Sequence, residues 1–148
     1  RQINETMNPT VRNILAVVAG VVLGSVVNMG TIMLGHVLIP PPEGADLSTA
    51  EGFAAALPLL DARHFLAPFL AHALGTLVGA FTTARIAANR ELQLAMIIGV
   101  VFLAGGIAAA NMIPAPTWFI VLDLVAAYLP MAWLGATLAL RLKQNAAT

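Results

Sequence analysis

Apolar residues in this chain fall in four long runs, separated by polar or proline-rich breaks. The runs cover about 14–39, 65–84, 94–113 and 118–140. Each is long enough to cross a bilayer, since about 20 helical residues rising about 1.5 Å apiece span the hydrocarbon core. The pattern predicts an all-α integral membrane protein of four transmembrane helices in a compact bundle, one membrane domain over residues 1–148. The polar RQINET before Met7 is set aside from this reading.

The breaks carry the boundary signals. Pro40, Pro41 and Pro42 end the first run, because proline lacks the donor that the next helical turn needs. The loop 40–63 is the longest link, and Ser48 with Glu51 fits a capping box for a short interfacial helix over Phe53–Leu57 that stops at Pro58. Asp61 is placed to cap the second span, which tolerates Pro68 near its first turn. Ile113-Pro-Ala-Pro makes a very short link, so the third and fourth spans are antiparallel neighbours. Pro130 is expected to kink the fourth span or to free a carbonyl within it. Ala16, Gly20, Gly24 and Asn28 recur every fourth position in the first span, the small-residue spacing that lets helix backbones approach closely in lipid.

Composition agrees with this class. The chain is 59% hydrophobic and only 9% charged, against roughly 25% charged in a soluble domain. Seven basic and seven acidic side chains cancel, and no basic stripe invites nucleic acid. There is no cysteine, which removes disulfides, thiolate metal sites and thiol catalysis. Arg1, Arg12, Arg85, Arg90, Arg141 and Lys143 share one side of a four-span topology, with Arg63 alone on the other. The positive-inside bias then predicts cytoplasmic termini, an outward acidic loop and a bacterial-type inner (plasma) membrane.

Against that background the few polar side chains inside the runs stand out. Counted inward at about 1.5 Å per residue, Asn111 lies about 3 Å deep, His36 about 4–5 Å, Asp123 about 7–8 Å, His72 about 10 Å and Asn28 about 16 Å. All belong to the outer halves of their spans, while Ser25, Thr82, Thr83 and Thr137 fall in the inner halves. Ionisable groups at such depth face the bundle interior or a wet cavity, so the layer predicts an outward-facing polar pocket. Asp123 is the charge-bearing group of that expectation, His72 its partner, and Asn28, His36 and Asn111 line the pocket. Tyr128 is given no special role.

The function expected is binding or transport of a small solute, cation or proton. Two alternatives stand beside it: a structural or accessory subunit of a larger membrane complex, and an outer-leaflet enzyme using His72 and Asp123 as acid and base. Ser25 and Ser48 are badly placed as nucleophiles for such an enzyme, and there is no G-x-S-x-G elbow. No metal site or cofactor is expected, since a set of His72, Asp123 and Glu43 has no motif behind it. The partners expected are the lipid bilayer and, from the small-residue rows, further copies or a larger membrane complex.

Overall fold

The computed structural model describes residues 7–146, and among these there is no strand. Four helical stretches are long and apolar enough to cross a membrane: Pro9–Leu38, Ala62–Ile86, Glu91–Met112 and Thr117–Asn145. The first is a single helix, α1 (Pro9–Leu38), capped by the Asn8 side chain, which accepts from the Thr10 N–H at 2.8 Å. It begins before the apolar run because polar residues such as Thr10 and Asn13 continue the helix past its apolar part. The same reason carries the third span back to Glu91 and the fourth on to Asn145.

After the prolines, α2 (Ala50–Ala56) forms the short loop helix. Its cap is Thr49, whose Oγ1 accepts from the Gly52 N–H at 3.0 Å, rather than the expected Ser48. Ser48 is engaged elsewhere: its hydroxyl donates to Asp46 Oδ1 at 2.6 Å, and its N–H to the same oxygen at 2.8 Å. Those bonds hold the exposed Asp46 carboxyl below its ordinary value. Pro58 then starts a 3-10 turn, Leu57–Leu59. Asp61 caps a second such turn, Ala62–Phe65, which leads directly into α3 (Leu66–Ile86).

The remaining helices are α4 (Glu91–Met112), α5 (Thr117–Ala126) and α6 (Leu129–Asn145). The expected kink in the fourth span is a full break at Ala127–Tyr128. Pro130 has no N–H to give the Ala126 carbonyl, and it sits in the first turn of α6, where a missing donor costs least.

Helix α3 is the centre of the bundle, with α1, α4 and α6 packed on it. Along α1, the row Ala16, Gly20, Gly24 is buried against α3. A Cβ on Gly24 would stand 2.7 Å from the Gly75 carbonyl oxygen, and one on Gly79 would stand 2.8 Å from that of Gly20, so the two backbones touch. Thr83 Oγ1 reaches the Gly79 carbonyl at 3.0 Å and the α1 carbonyl of Ala16 at 3.2 Å. The core between α3, α4 and α6 is likewise made of small residues: Ala80, Ala84, Ala95, Ala132, Ala136 and Ala139 around Ile98. Close backbone approach, not large interlocking side chains, holds these helices together.

One end of the bundle gathers the basic residues. Arg12 Nε donates to the Ile86 carbonyl at 2.7 Å, closing the last turn of α3. Asn13 Oδ1 accepts from the Ala88 N–H at 2.9 Å, and its Nδ2 donates to Asn89 Oδ1 at 2.8 Å. Lys143 pairs with Glu91 at 3.3 Å. The start of α1, the turn after α3 and the end of α6 thus share one end, opposite the acidic loop.

Candidate functional site

Asp123 lies on α5 six residues from its start, about 9 Å along the axis, and is 4% exposed. A carboxylate so placed must be hydrogen-bonded, since an unpaired buried charge costs several kcal/mol or more. Two neighbours meet that need. His72 of α3 brings Nδ1 to 2.9 Å from both carboxylate oxygens, and Tyr128 donates its hydroxyl to Oδ2 at 3.0 Å. The imidazole and phenol rings also stack, with centroids 5.6 Å apart and planes 28° from parallel.

The helix break makes this cluster. On a continuous helix Tyr128, five residues after Asp123, would lie about 140° round the axis and point elsewhere. The unwound step at Ala127–Tyr128 turns the phenol back onto the carboxylate. Gly106 of α4 makes room for it, because a Cβ there would run into the Tyr128 hydroxyl and ring. On the α3 side, the Thr76 hydroxyl donates to the His72 carbonyl at 2.7 Å, one turn below.

The ring of His72 separates two hollows. One, about 270 Å³, is lined by Ser25 and Asn28 of α1, by Phe102 and Gly106 of α4, and by His72 and Tyr128. The other, about 170 Å³, lies toward the acidic loop, with Phe53 of α2, Phe65, Pro68 and Phe119 around His72 and Asp123. The His72 side chain keeps 27% of its surface exposed. With Nδ1 on the carboxylate, Nε2 is the free position of the ring, and it has no hydrogen-bond partner among the described residues.

Of the residues singled out in the sequence, Asp123 and His72 are in direct contact, and Asn28 lines the same hollow as His72. His36 is exposed at the far end of α1, beside a separate small depression that it shares with His64. Asn111 is exposed and donates to the Ile107 carbonyl of its own helix at 2.7 Å. Neither reaches Asp123. Two residues of the site were passed over in the sequence. Tyr128 was given no role, although the nearby Pro130 already signalled the break that redirects it. Ser25, placed by depth in the inner half, lines the hollow beside Asn28. Glu43 does not complete a metal set with His72 and Asp123: among the described residues no three of His, Cys, Asp or Glu are gathered for a metal ion.

The arrangement resembles a general base held in one orientation. A carboxylate fixes the tautomer of an imidazole, and the opposite ring nitrogen is left without a hydrogen-bond partner among the described residues. Compared with known proteins, the chain matches no family, no curated protein and no solved structure, and the site has only its own geometry to speak for it.

Proposed function

We propose that this is a four-span membrane protein of a bacterial-type inner membrane that binds, and passes on, a proton or a small cationic solute at His72–Asp123–Tyr128. The observation that carries the reading is the free Nε2 of a histidine whose other nitrogen lies on a buried carboxylate. With Asp123 ionised and His72 neutral, the pair holds one negative charge within the helical bundle. Low dielectric makes that charge attractive to a proton or a cation, and adding one to Nε2 neutralises the cluster. Tyr128 keeps one carboxylate oxygen occupied in either state.

The acidic loop and the basic end support an orientation with the loop outward and the termini cytoplasmic. The smaller hollow beneath Phe53 would then lead from the outer surface to His72, and the larger one would continue from it. The proton itself is the probe for the test. Purified protein in liposomes that enclose a pH-sensitive dye should pass protons under an imposed potential, and Asp123→Asn and His72→Ala should each reduce that flux at least tenfold. Flux equal to protein-free liposomes, or unchanged in both variants, would remove the reading.

A further inference from the structure

The larger hollow is unlike the smaller one in where it opens. Its walls are α1 and α4, which both pack on α3 and meet each other at Gly20–Ile98 and Gly24–Phe102, on the side of the hollow away from the acidic loop. Val101 of α4 is 46% exposed at this seam, and Ser25 of α1 is exposed beside it. A Cβ on Gly105 would meet nothing within 4 Å. The seam is therefore open, at about 10–20 Å from the helix ends nearest the acidic loop. In the four-span reading that depth is among acyl chains.

Polar groups wait there without protein partners. Ser25, Asn28 and His72 all border this hollow, and neither the Ser25 hydroxyl, the Asn28 amide nor His72 Nε2 makes a hydrogen bond among the described residues. Hydrocarbon cannot satisfy them. Two of the three can accept a hydrogen bond whatever their rotamer, through Ser25 Oγ and Asn28 Oδ1. Nε2 accepts as well while Nδ1–H is held by Asp123.

We propose that the hollow takes the head group of an amphiphile dissolved in the membrane, which arrives sideways between α1 and α4 and donates from a hydroxyl or an ammonium to His72 Nε2. This rests on the proposed use of the His72–Asp123 site and names the ligand class for it. A volume of about 270 Å³ lies just under the usual range for drug-sized ligands, about 300–1,000 Å³. It accommodates a head and its first carbons, and the apolar tail stays in the seam beside Val101 and Phe102.

The test uses dodecanol carrying a photoreactive diazirine in its chain, added to the full chain in lipid nanodiscs, with labelled peptides mapped by mass spectrometry. Labelling should concentrate on residues 22–29 and 100–106. Unlabelled dodecanol and dodecylamine should compete for it, while dodecyl methyl ether, which cannot donate, should not. Gly105→Phe, which fills the seam, should lower the labelling at least fivefold; should that variant fail to fold, Ser25→Phe fills it from α1 and carries the same expectation. Labelling spread evenly over the lipid-facing helices, equal competition by the ether, or no loss in the seam variant would each overturn the proposal. Proton flux measured in parallel separates the two ideas. If Asp123→Asn abolishes flux while dodecanol labels without selectivity, the site stands and sideways access falls; if Asp123→Asn leaves flux intact, the site reading falls whatever the labelling pattern.

Discussion

Helix α1 presents two faces that are built in opposite ways. Toward α3 it offers Ala16, Gly20 and Gly24, and the backbones meet with no side chain between them. Beside that row, Ser25 faces a hollow toward α4, and Asn28, whose Cβ lies against Gly75 of α3, borders the same hollow from the edge of the packed face. The two faces differ by only about a quarter-turn at neighbouring positions, since consecutive helical residues are about 100° apart. Between helices as apolar as these, adhesion of the kind seen in lipid comes from close packing and from interhelical hydrogen bonds. The α3 face has both, through its glycines and Thr83. Toward α4 the packing is through side chains, Phe102 against Gly24 and Ile98 against Gly20, and beyond Gly24 it gives way to the gap beside Ser25.

This contrast is broken most severely from the closed face. Gly20→Leu or Gly79→Leu drives a side chain into a backbone carbonyl, and neither helix can give way without separating. Overpacking of this kind costs about 1–3 kcal/mol and sometimes more, so a large fall in folded yield and in midpoint under detergent unfolding is expected. Gly30→Leu, also on α1 but with nothing within 4 Å of a Cβ, should leave both measurements within error. Equal effects of the two substitutions would mean that the glycine row does not hold α1 in place.

A smaller effect is expected from the helix break. Tyr128→Phe removes one of the two neighbours of a buried carboxylate and adds no bulk, an expected loss of about 1–3 kcal/mol for a hydrogen bond to a charged group. Pro130→Ala restores the missing N–H and should draw Ala127 and Tyr128 toward continuous helix, turning the phenol away from Asp123. The double variant tests the link. If the break acts by aiming Tyr128, then Pro130→Ala should cost little more in the Tyr128→Phe background, and additive losses would refute that account.

The smallest effect lies in the acidic loop, far from both faces. Asp46 is held below its ordinary value of 3.8 by the Ser48 hydroxyl and N–H. A carboxyl lowered in the folded state contributes its stabilisation fully above the ordinary value, and that contribution fades as pH falls through the lowered one. The protection factor of the Ser48 amide, its exchange rate relative to the intrinsic rate at each pH, should therefore fall as pH drops below the ordinary value of 3.8 in wild type, while Asp46→Asn should show lower protection already at neutral pH. Because the group is fully exposed, the bundle of long helices should be indifferent to it.

Much of this architecture is written in the local pattern of the chain. Four apolar runs, three prolines after Ile39, the Pro-Ala-Pro link and the spacing of Ala16, Gly20 and Gly24 determine the number of long helices, their ends and the face α1 gives to a neighbour. These are properties of segments, set by hydrophobic length, by a missing N–H or by a missing Cβ. The same patterning pointed to Asp123 and His72, because ionisable groups are scarce in apolar runs. What depth alone was unable to decide is direction round the helix axis. Asn111 and His36 lie at suitable depths and face away, whereas Tyr128 turns onto Asp123, and Ser25, though exposed, lines the hollow beside it. The small-residue row on α1, whose spacing fits packing either within the chain or between copies, is buried on α3 of the same chain.

The amino-acid order therefore determined which groups sit at which level, and the packing determined which of them meet. A helix end is decided within a few residues, but the azimuth of Tyr128 depends on how far the chain unwinds at Ala127–Tyr128, and that depends on Gly106 leaving room on another helix. The opening beside Asn28 likewise depends on α1 being held by α3, tens of residues away in sequence. Contacts of that range are created only when the helices assemble.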